Sequence, residues 1–215
     1  MTSDPHAPIP LGPPVEDGLA AAKRALRREM KRKLAGMSPE ARAAAGERVR
    51  ALVAGLPEFA GARAIMFYHA LSDEPDLLDL MFEAIGSGRE ALLPVCDERS
   101  VTMRAVSVED PVRDLREGAY GILEPREGLP LADPSRIGLV FVPGRAFDAD
   151  GGRLGRGKGY YDRFLSGIRP AQAGGAFRLG VAFACQFVGS VPRGPKDARL
   201  DAVATENGVL RRPKA

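Results

Sequence analysis

Residues 137–142 form a continuous apolar run, and this run constrains the fold more than any other part of the sequence. A strand that is apolar on both sides has to be covered on both sides, which is typical of a central strand in a parallel or mixed sheet. A glycine-rich loop follows the run, and a predicted helix begins at Tyr160. The succession of strand, loop and helix predicts an α/β fold.

The remaining apolar patterns alternate between strands and helices, without an internal repeat. We predict further strands over residues 64–68, 91–96, 101–108, 179–184 and 202–204, and helices over residues 19–35, 39–54 and 76–85. Residues 109–134 are rich in proline, glycine and charge, which predicts mostly loop with a short helical turn. Residues 1–17 are predicted to be a disordered extension. Residues 18–215 are predicted to form a single three-layer domain, with a mostly parallel or mixed central sheet flanked by helices.

Composition limits the possible partners and the cellular location. The 31 basic and 28 acidic residues leave a formal net charge of +3, which is too small to require a nucleic-acid partner. Cys96 and Cys185 each follow an apolar run, which predicts buried, unreactive thiols in a reducing compartment. No apolar run approaches the ~20 residues that a membrane-spanning helix needs, and the first residues lack the pattern of a signal peptide. We therefore expect a cytoplasmic protein that does not bind a membrane.

The densest chemical signal lies in residues 151–162, which read GGRLGRGKGYYD. Five glycines and three cations, Arg153, Arg156 and Lys158, fall within residues 151–159. Glycine lets backbone N–H groups approach an anion closely, and the cations supply the charge that a polyphosphate requires. The start of the following helix adds a partial positive charge. The loop therefore predicts a phosphate site in an ATP-using enzyme, and the alternative is a flexible basic surface loop.

The same loop departs from the Walker A pattern at one position. Gly152 and the pair Gly157-Lys158 have the Walker spacing, but Gly159 follows where a Ser or Thr would bind magnesium. A magnesium ion would therefore need another ligand, and Asp162, one turn into the helix, is the nearest candidate. Asp162 could instead be an ordinary acid in the first turn of a helix.

Four segments together resemble the 5-formyltetrahydrofolate cyclo-ligase family, also called methenyltetrahydrofolate synthetases. They are RLGRGKGYYD at 153–162, KRALR at 23–27, FVPG with FD at 141–148, and KDARLD with TE at 196–206. The resemblance covers residues 23 to about 206. It implies a fold similar to that of sugar-phosphate isomerases and CoA transferases. It also implies cyclisation of 5-formyltetrahydrofolate to 5,10-methenyltetrahydrofolate, with ATP and Mg²⁺ required and ADP and phosphate released.

The resemblance implies an ATP-binding set. Lys23 and Arg27 are four residues apart on one helix face and can both reach phosphates, although such a face could also be merely solvated. Arg156 and Lys158 are the catalytic candidates, because they could stabilise charge on the transferring phosphoryl group, and Arg153 is expected to make a ground-state phosphate or structural contact. The full implied set is Lys23, Arg24, Ala25, Leu26, Arg27, Arg153, Leu154, Gly155, Arg156, Gly157, Lys158, Gly159, Tyr160 and Tyr161.

The resemblance also implies metal and folate ligands. Magnesium is expected on Asp162 and Asp197, with Asp201 as the alternative to Asp197. The implied folate-binding residues are His69, Glu74, Tyr120, Arg156 and Tyr160.

Some of these roles have alternatives. Glu74 could accept hydrogen bonds from the pterin, whereas its neighbour Asp73 could be only a helix cap. His69 could equally be structural. Tyr120 stands where many relatives carry Trp, a residue that this chain lacks.

Two other classes of protein remain as alternatives. A nucleic-acid-binding module could use the basic helix at 23–33 and the Gly/Arg loop to follow a phosphate backbone. A sugar-phosphate isomerase or acyl-transfer enzyme would rest on fold analogy alone. The main interpretation expects small-molecule partners, a reduced folate and ATP, and a monomer.

Overall fold

A mixed sheet of seven strands forms the centre of the computed structural model, which describes residues 15–118 and 123–213. The described strands are β1 (Ala64–Met66), β2 (Glu90–Asp97), β3 (Thr102–Val108), β4 (Leu115–Glu117), β5 (Leu123–Pro125), β6 (Leu139–Val142), β7 (Ala146–Phe147), β8 (Arg153–Leu154), β9 (Phe177–Val181), β10 (Ala202–Thr205) and β11 (Gly208–Arg211). The order in the sheet is β11-β10-β9-β6-β1-β2-β3. The five strands from β10 to β2 run parallel, and β11 and β3 pair antiparallel at the two edges.

Helices cover both faces of this sheet. They are α1 (Val15–Ala35), α2 (Pro39–Ala54), α3 (Pro57–Gly61), α4 (Leu78–Gly86), α5 (Pro111–Asp114) and α6 (Tyr160–Ser166). Successive strand residues point to opposite faces. Ile65 and Phe141 join a core with α2, α3 and α4, whereas Met66 and Val140 join a second core with α6. The predicted three-layer α/β architecture is therefore confirmed.

Helix α1 lies apart from the two main cores, near the carboxyl edge of the sheet. It begins at Val15, four residues before the predicted start at residue 19, and residues 1–14 of the predicted extension lie outside the described residues. Its apolar stripe is buried as the pattern predicted, because Met30 packs with Ala146 and Leu154, and Leu34 packs with Phe183. The next helix, α2, begins as predicted, with the hydroxyl of Ser38 accepting the N–H of Ala41 at 3.2 Å.

Several boundaries differ from the sequence predictions for local reasons. The predicted helix at 76–85 begins at Leu78, because the carboxylate of Asp76 accepts the Leu78 N–H at 2.9 Å. The strand predicted over 64–68 ends at Met66, where the chain turns away from the sheet. The short pairs β4–β5 and β7–β8 and the edge strand β11 were not predicted, because strands of two to four residues carry little apolar pattern.

The order of the strands fixes where a binding site can form. From β1 the chain passes through α4 to β2 on one side, and from β6 it passes through α6 to β9 on the other. The segments that leave the carboxyl ends of the neighbouring strands β1 and β6 therefore diverge. Such a switch point opens a crevice at the carboxyl edge, where open α/β sheets bind their ligands.

Candidate active site

A cavity of about 1650 Å³ lies at this switch point. Tyr68 and His69, which follow β1, and Pro143 and Gly144, which follow β6, line its floor. The other walls come from the amino-terminal part of α1, the carboxyl end of β2, the β4–β5 pair and the glycine-rich loop at 151–159. Segments far apart in the sequence therefore meet around one opening.

The first half of the glycine loop is rigidly held. Asp148 is 1% exposed, and its carboxylate accepts the N–H groups of Asp150, Gly152 and Val191 at 2.7–3.0 Å. Gly151 has a φ of 74°, and a Cβ there would lie 2.3 Å from the carbonyl oxygen of Leu200. Both the backbone conformation and the packing therefore require glycine at this position.

Arg153 anchors the same half from inside the protein. Its side chain is 3% exposed, and it donates to the Pro143 carbonyl and to Oδ1 of Asp162, both at 3.0 Å. Its guanidinium carbon also lies 5.5 Å from the centre of the Tyr161 ring. Arg153 was predicted to make either a phosphate contact or a structural contact, and the contacts seen here are structural.

The second half of the loop, residues 155–159, forms an exposed tip. Gly157 and Gly159 have φ values of 122° and 71°, which favour glycine, and Gly159 is the N-cap of α6. The cap residue is a glycine and therefore has no side-chain hydroxyl for a magnesium ion, as the sequence indicated. Because three of its five residues are glycines, the tip exposes much of its backbone to the cavity.

Helix α1 contributes cations to the cavity. Nζ of Lys23 lies 2.5 Å from Oδ2 of Asp197, and Nε of Arg27 donates to the Gly155 carbonyl at 2.9 Å. Arg24 also lines the cavity. Ala25 is exposed, and Leu26 packs against the Met30 cluster, so the helix turns these two predicted ATP-binding residues away from the cavity.

Four charged side chains form a continuous chain beside the cavity, which we call the charge chain: Arg145, Asp73, Arg156 and Glu74. Asp73 pairs with Arg145 through Oδ2 and with Arg156 through Oδ1, the latter at 2.6 Å. Arg156 also donates to Oε1 of Glu74 at 2.7 Å, and Oε2 of Glu74 accepts the Leu71 N–H at 3.1 Å. Asp73 is thus an ion-pair partner and not a helix cap.

The charge chain changes the acidity of its members. Burial alone would raise the pKa of Asp73, but hydrogen bonds from Arg156 and Arg145 outweigh it and hold that pKa below its usual value. Burial alone would lower the pKa of Arg156, but the carboxylates of Glu74 and Asp73 raise it. Both shifts favour the charged forms of Asp73 and Arg156.

Lys158, the other predicted catalytic cation, occupies a more open position. Its side chain is 63% exposed and pairs with Glu98 at 2.5 Å. The Tyr160 ring lies 6.0 Å from its ammonium group and 6.0 Å from the Arg163 guanidinium carbon. Arg156 and Lys158 therefore both contact carboxylates at the cavity rim.

The two predicted magnesium ligands line the same cavity. Asp162 accepts hydrogen bonds through Oδ1, from Arg153 and the Ala198 N–H, and Asp197 accepts through Oδ2, from Lys23 and the Gly194 N–H. Within the described residues, Oδ2 of Asp162 and Oδ1 of Asp197 accept none. Asp201, the alternative, is 8% exposed, accepts the Arg178 N–H and lies outside the cavity lining.

These two carboxylates match how magnesium is commonly held. No group of three or more His, Cys, Asp or Glu residues suited to a metal occurs in the part of the chain that the structure describes. Magnesium typically uses one or two carboxylates together with substrate phosphates, so two free carboxylate oxygens beside the glycine-rich loop fit the predicted ion.

Three cavity-lining residues have a buried polar atom with no hydrogen-bond partner among the described residues: Nε2 of His69, Nε of Arg153 and the hydroxyl of Tyr161. Burial lowers the pKa of His69, although Asp76 and Glu124 oppose this shift. Burial likewise raises the pKa of the Tyr161 hydroxyl. Both shifts favour the neutral forms of the imidazole and the phenol, whose unpaired atoms are buried in the cavity wall.

The other predictions have mixed outcomes. Tyr120 lies outside the described residues, so the structure gives it no position. The prediction of buried cysteines was wrong for Cys96, which is exposed and lines the cavity because β2 extends past β1 there and pairs with β3 alone. Cys185 is half-buried. No helix among the described residues combines the length and apolarity needed to cross a bilayer.

Sequence reasoning missed Arg145 and Glu98, and misjudged Asp73. Arg145 comes directly after the Pro-Gly that ends β6, which was a usable signal because polar residues at the carboxyl end of a central strand point towards the site. Its pairing with Asp73, 72 positions earlier, had no signal in the sequence.

Comparison with known proteins identifies the family of the chain. The profile of the 5-formyltetrahydrofolate cyclo-ligase family matches residues 19–206. The chain is 30% identical over 216 residues to the mitochondrial 5-formyltetrahydrofolate cyclo-ligase of Arabidopsis thaliana, with 90% of this chain and 77% of that protein covered. It is 28% identical over 192 residues to the Mus musculus cyclo-ligase, with 87% and 95% covered.

A solved structure extends the comparison to the fold. The NMR structure of Aquifex aeolicus 5,10-methenyltetrahydrofolate synthetase has a TM-score of 0.76 and 33% identity, with 90% of this chain and 94% of that chain covered. Fold and matches together define an α/β enzyme of the ligase class. The chain belongs to the 5-formyltetrahydrofolate cyclo-ligase family.

Proposed function

We propose that this enzyme cyclises 5-formyltetrahydrofolate to 5,10-methenyltetrahydrofolate and converts ATP to ADP and phosphate in a reaction that requires Mg²⁺. One observation carries the proposal beyond family membership. The cations of the glycine loop, the cations of α1, and the partnerless His69 with Glu74 all line one cavity. A reaction between ATP and a second substrate requires such a shared cavity, because both reactants must be held in contact.

The proposed nucleotide site consists of the exposed tip of the glycine loop and the facing side of α1. Arg27 supports the tip through the Gly155 carbonyl, and Lys23 lies beside the loop at 194–197. The N–H groups of the tip and the cations Lys23, Arg156 and Lys158 would neutralise the phosphates. Asp162 and Asp197 would hold the magnesium ion, which supplies charge neutralisation at the phosphates.

The proposed folate site adjoins the tip of the glycine loop, because Glu74 contacts Arg156 there. The carboxylate of Glu74 is 6% exposed and already accepts hydrogen bonds, so it is oriented to accept N–H groups of the pterin. Nε2 of His69 and the Tyr161 hydroxyl would supply further hydrogen bonds to the substrate. Tyr160, held between Lys158 and Arg163, offers an aromatic face.

In the proposed reaction the formyl oxygen attacks the γ-phosphorus and ADP leaves, which converts a poor leaving group into a phosphate. N10 then attacks the formyl carbon and loses its proton. The C–O bond breaks, and inorganic phosphate departs with the former formyl oxygen. Arg156 would stabilise the charge that develops on the transferring phosphoryl group.

The test is to mix the purified protein with 5-formyltetrahydrofolate, Mg²⁺ and ATP and to follow the near-ultraviolet absorbance of the methenyl product. We expect product only with ATP, with one ADP and one phosphate released per product. Substrate labelled with oxygen-18 in the formyl group should transfer the label to the phosphate. Product without ATP would contradict the proposal. Salt-sensitive RNA binding without folate-dependent ATP turnover would favour the nucleic-acid alternative.

Mg²⁺ dependence is tested in the same assay by adding a chelator and then restoring Mg²⁺, and an unaffected rate would remove the ion from the proposal. A monomeric state and a cytoplasmic location stay predictions. Sedimentation of the purified chain and localisation of a tagged chain would test them.

A further inference from the structure

Arg145 lies beside the cavity but does not line it. Its side chain is 16% exposed, and it reaches from the segment after β6 to Oδ2 of Asp73 in the segment after β1. Asp73 in turn holds Arg156 through its other oxygen. Among the described residues, Arg145 is therefore connected to the proposed catalytic cation, Arg156, through Asp73.

We propose that Arg145 is a positioning residue. By occupying one oxygen of Asp73, it weakens the hold of Asp73 on Arg156, so that Arg156 can leave Asp73 and Glu74 for the phosphates of the bound nucleotide. The proposal rests on the proposed function, in which Arg156 acts on the phosphoryl group. In the structure Arg156 is paired with two carboxylates, so it must exchange these partners for phosphate oxygens when nucleotide binds.

The charges of the chain explain how Arg145 could act. Asp73 shares its charge between two arginines, and each arginine has one of its oxygens. Without Arg145, both oxygens of Asp73 could accept from Arg156 in the bidentate geometry that is the strongest form of this pair. Asp73 would then compete more effectively with phosphate for Arg156.

The alternative is that Arg145 only ties two segments together or attracts phosphate directly. Direct attraction of phosphate would persist when Asp73 carries no charge, whereas an effect through Asp73 would disappear, so a double-mutant cycle separates these two explanations. A tie between the segments is the same ion pair as the proposed contact. It would lower the free energy of unfolding of Arg145→Leu in proportion to the rise in Kd, so unfolding is measured beside the Kd.

The experiment measures the Kd for Mg-ATP by calorimetry, and kcat and KM by the product assay, for Arg145→Leu, Asp73→Asn and the double variant. We expect Arg145→Leu to raise the Kd for ATP about five- to tenfold, as befits coupled residues in one network. At saturating ATP, kcat should stay within about twofold, because bound nucleotide has already drawn Arg156 away. In the Asp73→Asn background, Arg145→Leu should leave the Kd unchanged.

Two further variants complete the design. Arg145→Lys keeps a donor for Asp73 and should restore the Kd. Arg89→Leu is the matched control, because Arg89 is 15% exposed and pairs with Glu83 far from the cavity. It should change the free energy of unfolding but not the Kd.

Three results would overturn the proposal: an equal rise in Kd in both backgrounds, no rise with Arg145→Leu, or a rise with Arg89→Leu that tracks unfolding. Calorimetry keeps this proposal separate from the proposed function. Arg145-dependent ATP binding without methenyl product would contradict only the function, and product formation with an unchanged Kd would contradict only the role of Arg145. Absence of ATP binding would overturn both.

Discussion

The two halves of the glycine loop have opposite character. Residues 151–154 are buried and held by Asp148, Asp162 and backbone groups, whereas Arg156 and Lys158 in the second half are themselves exposed. A buried cation with fixed partners cannot easily leave them for a ligand, but a cation at the rim can. In the proposed function, the first half therefore orients the loop and the second half binds the substrate.

The largest effect expected from this difference comes from Arg156→Ala. Turnover should fall about 10²- to 10³-fold, because a preorganised charge at the phosphoryl group is lost. The free energy of unfolding should fall by only about 1–3 kcal/mol, because Glu74, which is 6% exposed, loses its cation. Arg211→Ala, which removes a two-bond pair with Glu58 at the sheet edge, is the matched control and should leave turnover intact. Near-normal turnover of Arg156→Ala would contradict the assignment.

Arg153→Met tests the buried half and should act mainly on stability. It leaves Asp162 without its cation, so the free energy of unfolding should fall by about 3 kcal/mol. Denaturant unfolding followed by circular dichroism measures this. Adding Asp162→Leu should recover part of the loss, since the apolar pair no longer contains an unpaired charge. If Arg153→Met unfolded like the unaltered chain, the first half of the loop would not be the anchor.

Asp162→Asn should raise the Mg²⁺ concentration needed for half-maximal turnover about tenfold, because a charged oxygen ligand becomes neutral. A magnesium titration at fixed ATP measures the change. Asp201→Asn is the control, because Asp201 is an acid with backbone partners outside the cavity lining. A titration curve that does not move would mean that the ion binds elsewhere.

Lys158→Ala should have the smallest effect, a loss of turnover of about fivefold, because an exposed charge is weakened by solvent and salt. Glu98→Gln removes only its partner and should leave turnover equal or higher. If Lys158→Ala lowered turnover as much as Arg156→Ala does, the difference in exposure would not explain different roles for the two cations.

The contrast between the halves of the loop could be predicted only in part. Glycines, cations and the strand–loop–helix order predicted a phosphate site, and the continuous run at 137–142 predicted the central strand β6. Neither pattern distinguished the buried Arg153 from the exposed Lys158, because burial depends on what packs against the loop. Here those partners come from residues after β6, from α6 and from the segment around residue 198.

The charge chain shows more clearly that contacts between distant segments could not be predicted from the sequence. Asp73 and Glu74 stood out as adjacent acids, but whether such acids cap a helix or pair with arginines depends on the meeting of the segments after β1 and β6. That meeting follows from the strand order, which local periodicity does not encode. Similarly, the 3.6-residue stripe of α1 predicted which side is buried, but the resemblance assigned Ala25 and Leu26 to ATP without regard to the helix face.

Asp148 has a consequence for how such a loop can vary in length. Its one carboxylate binds N–H groups two, four and 43 positions further along the chain, so it fixes the spacing of the turn and attaches a distant segment to it. Inserting or deleting one residue between positions 148 and 152 would misalign these donors and leave a charge buried without partners. Such length changes are therefore expected to be far less tolerated there than at exposed turns elsewhere in the chain.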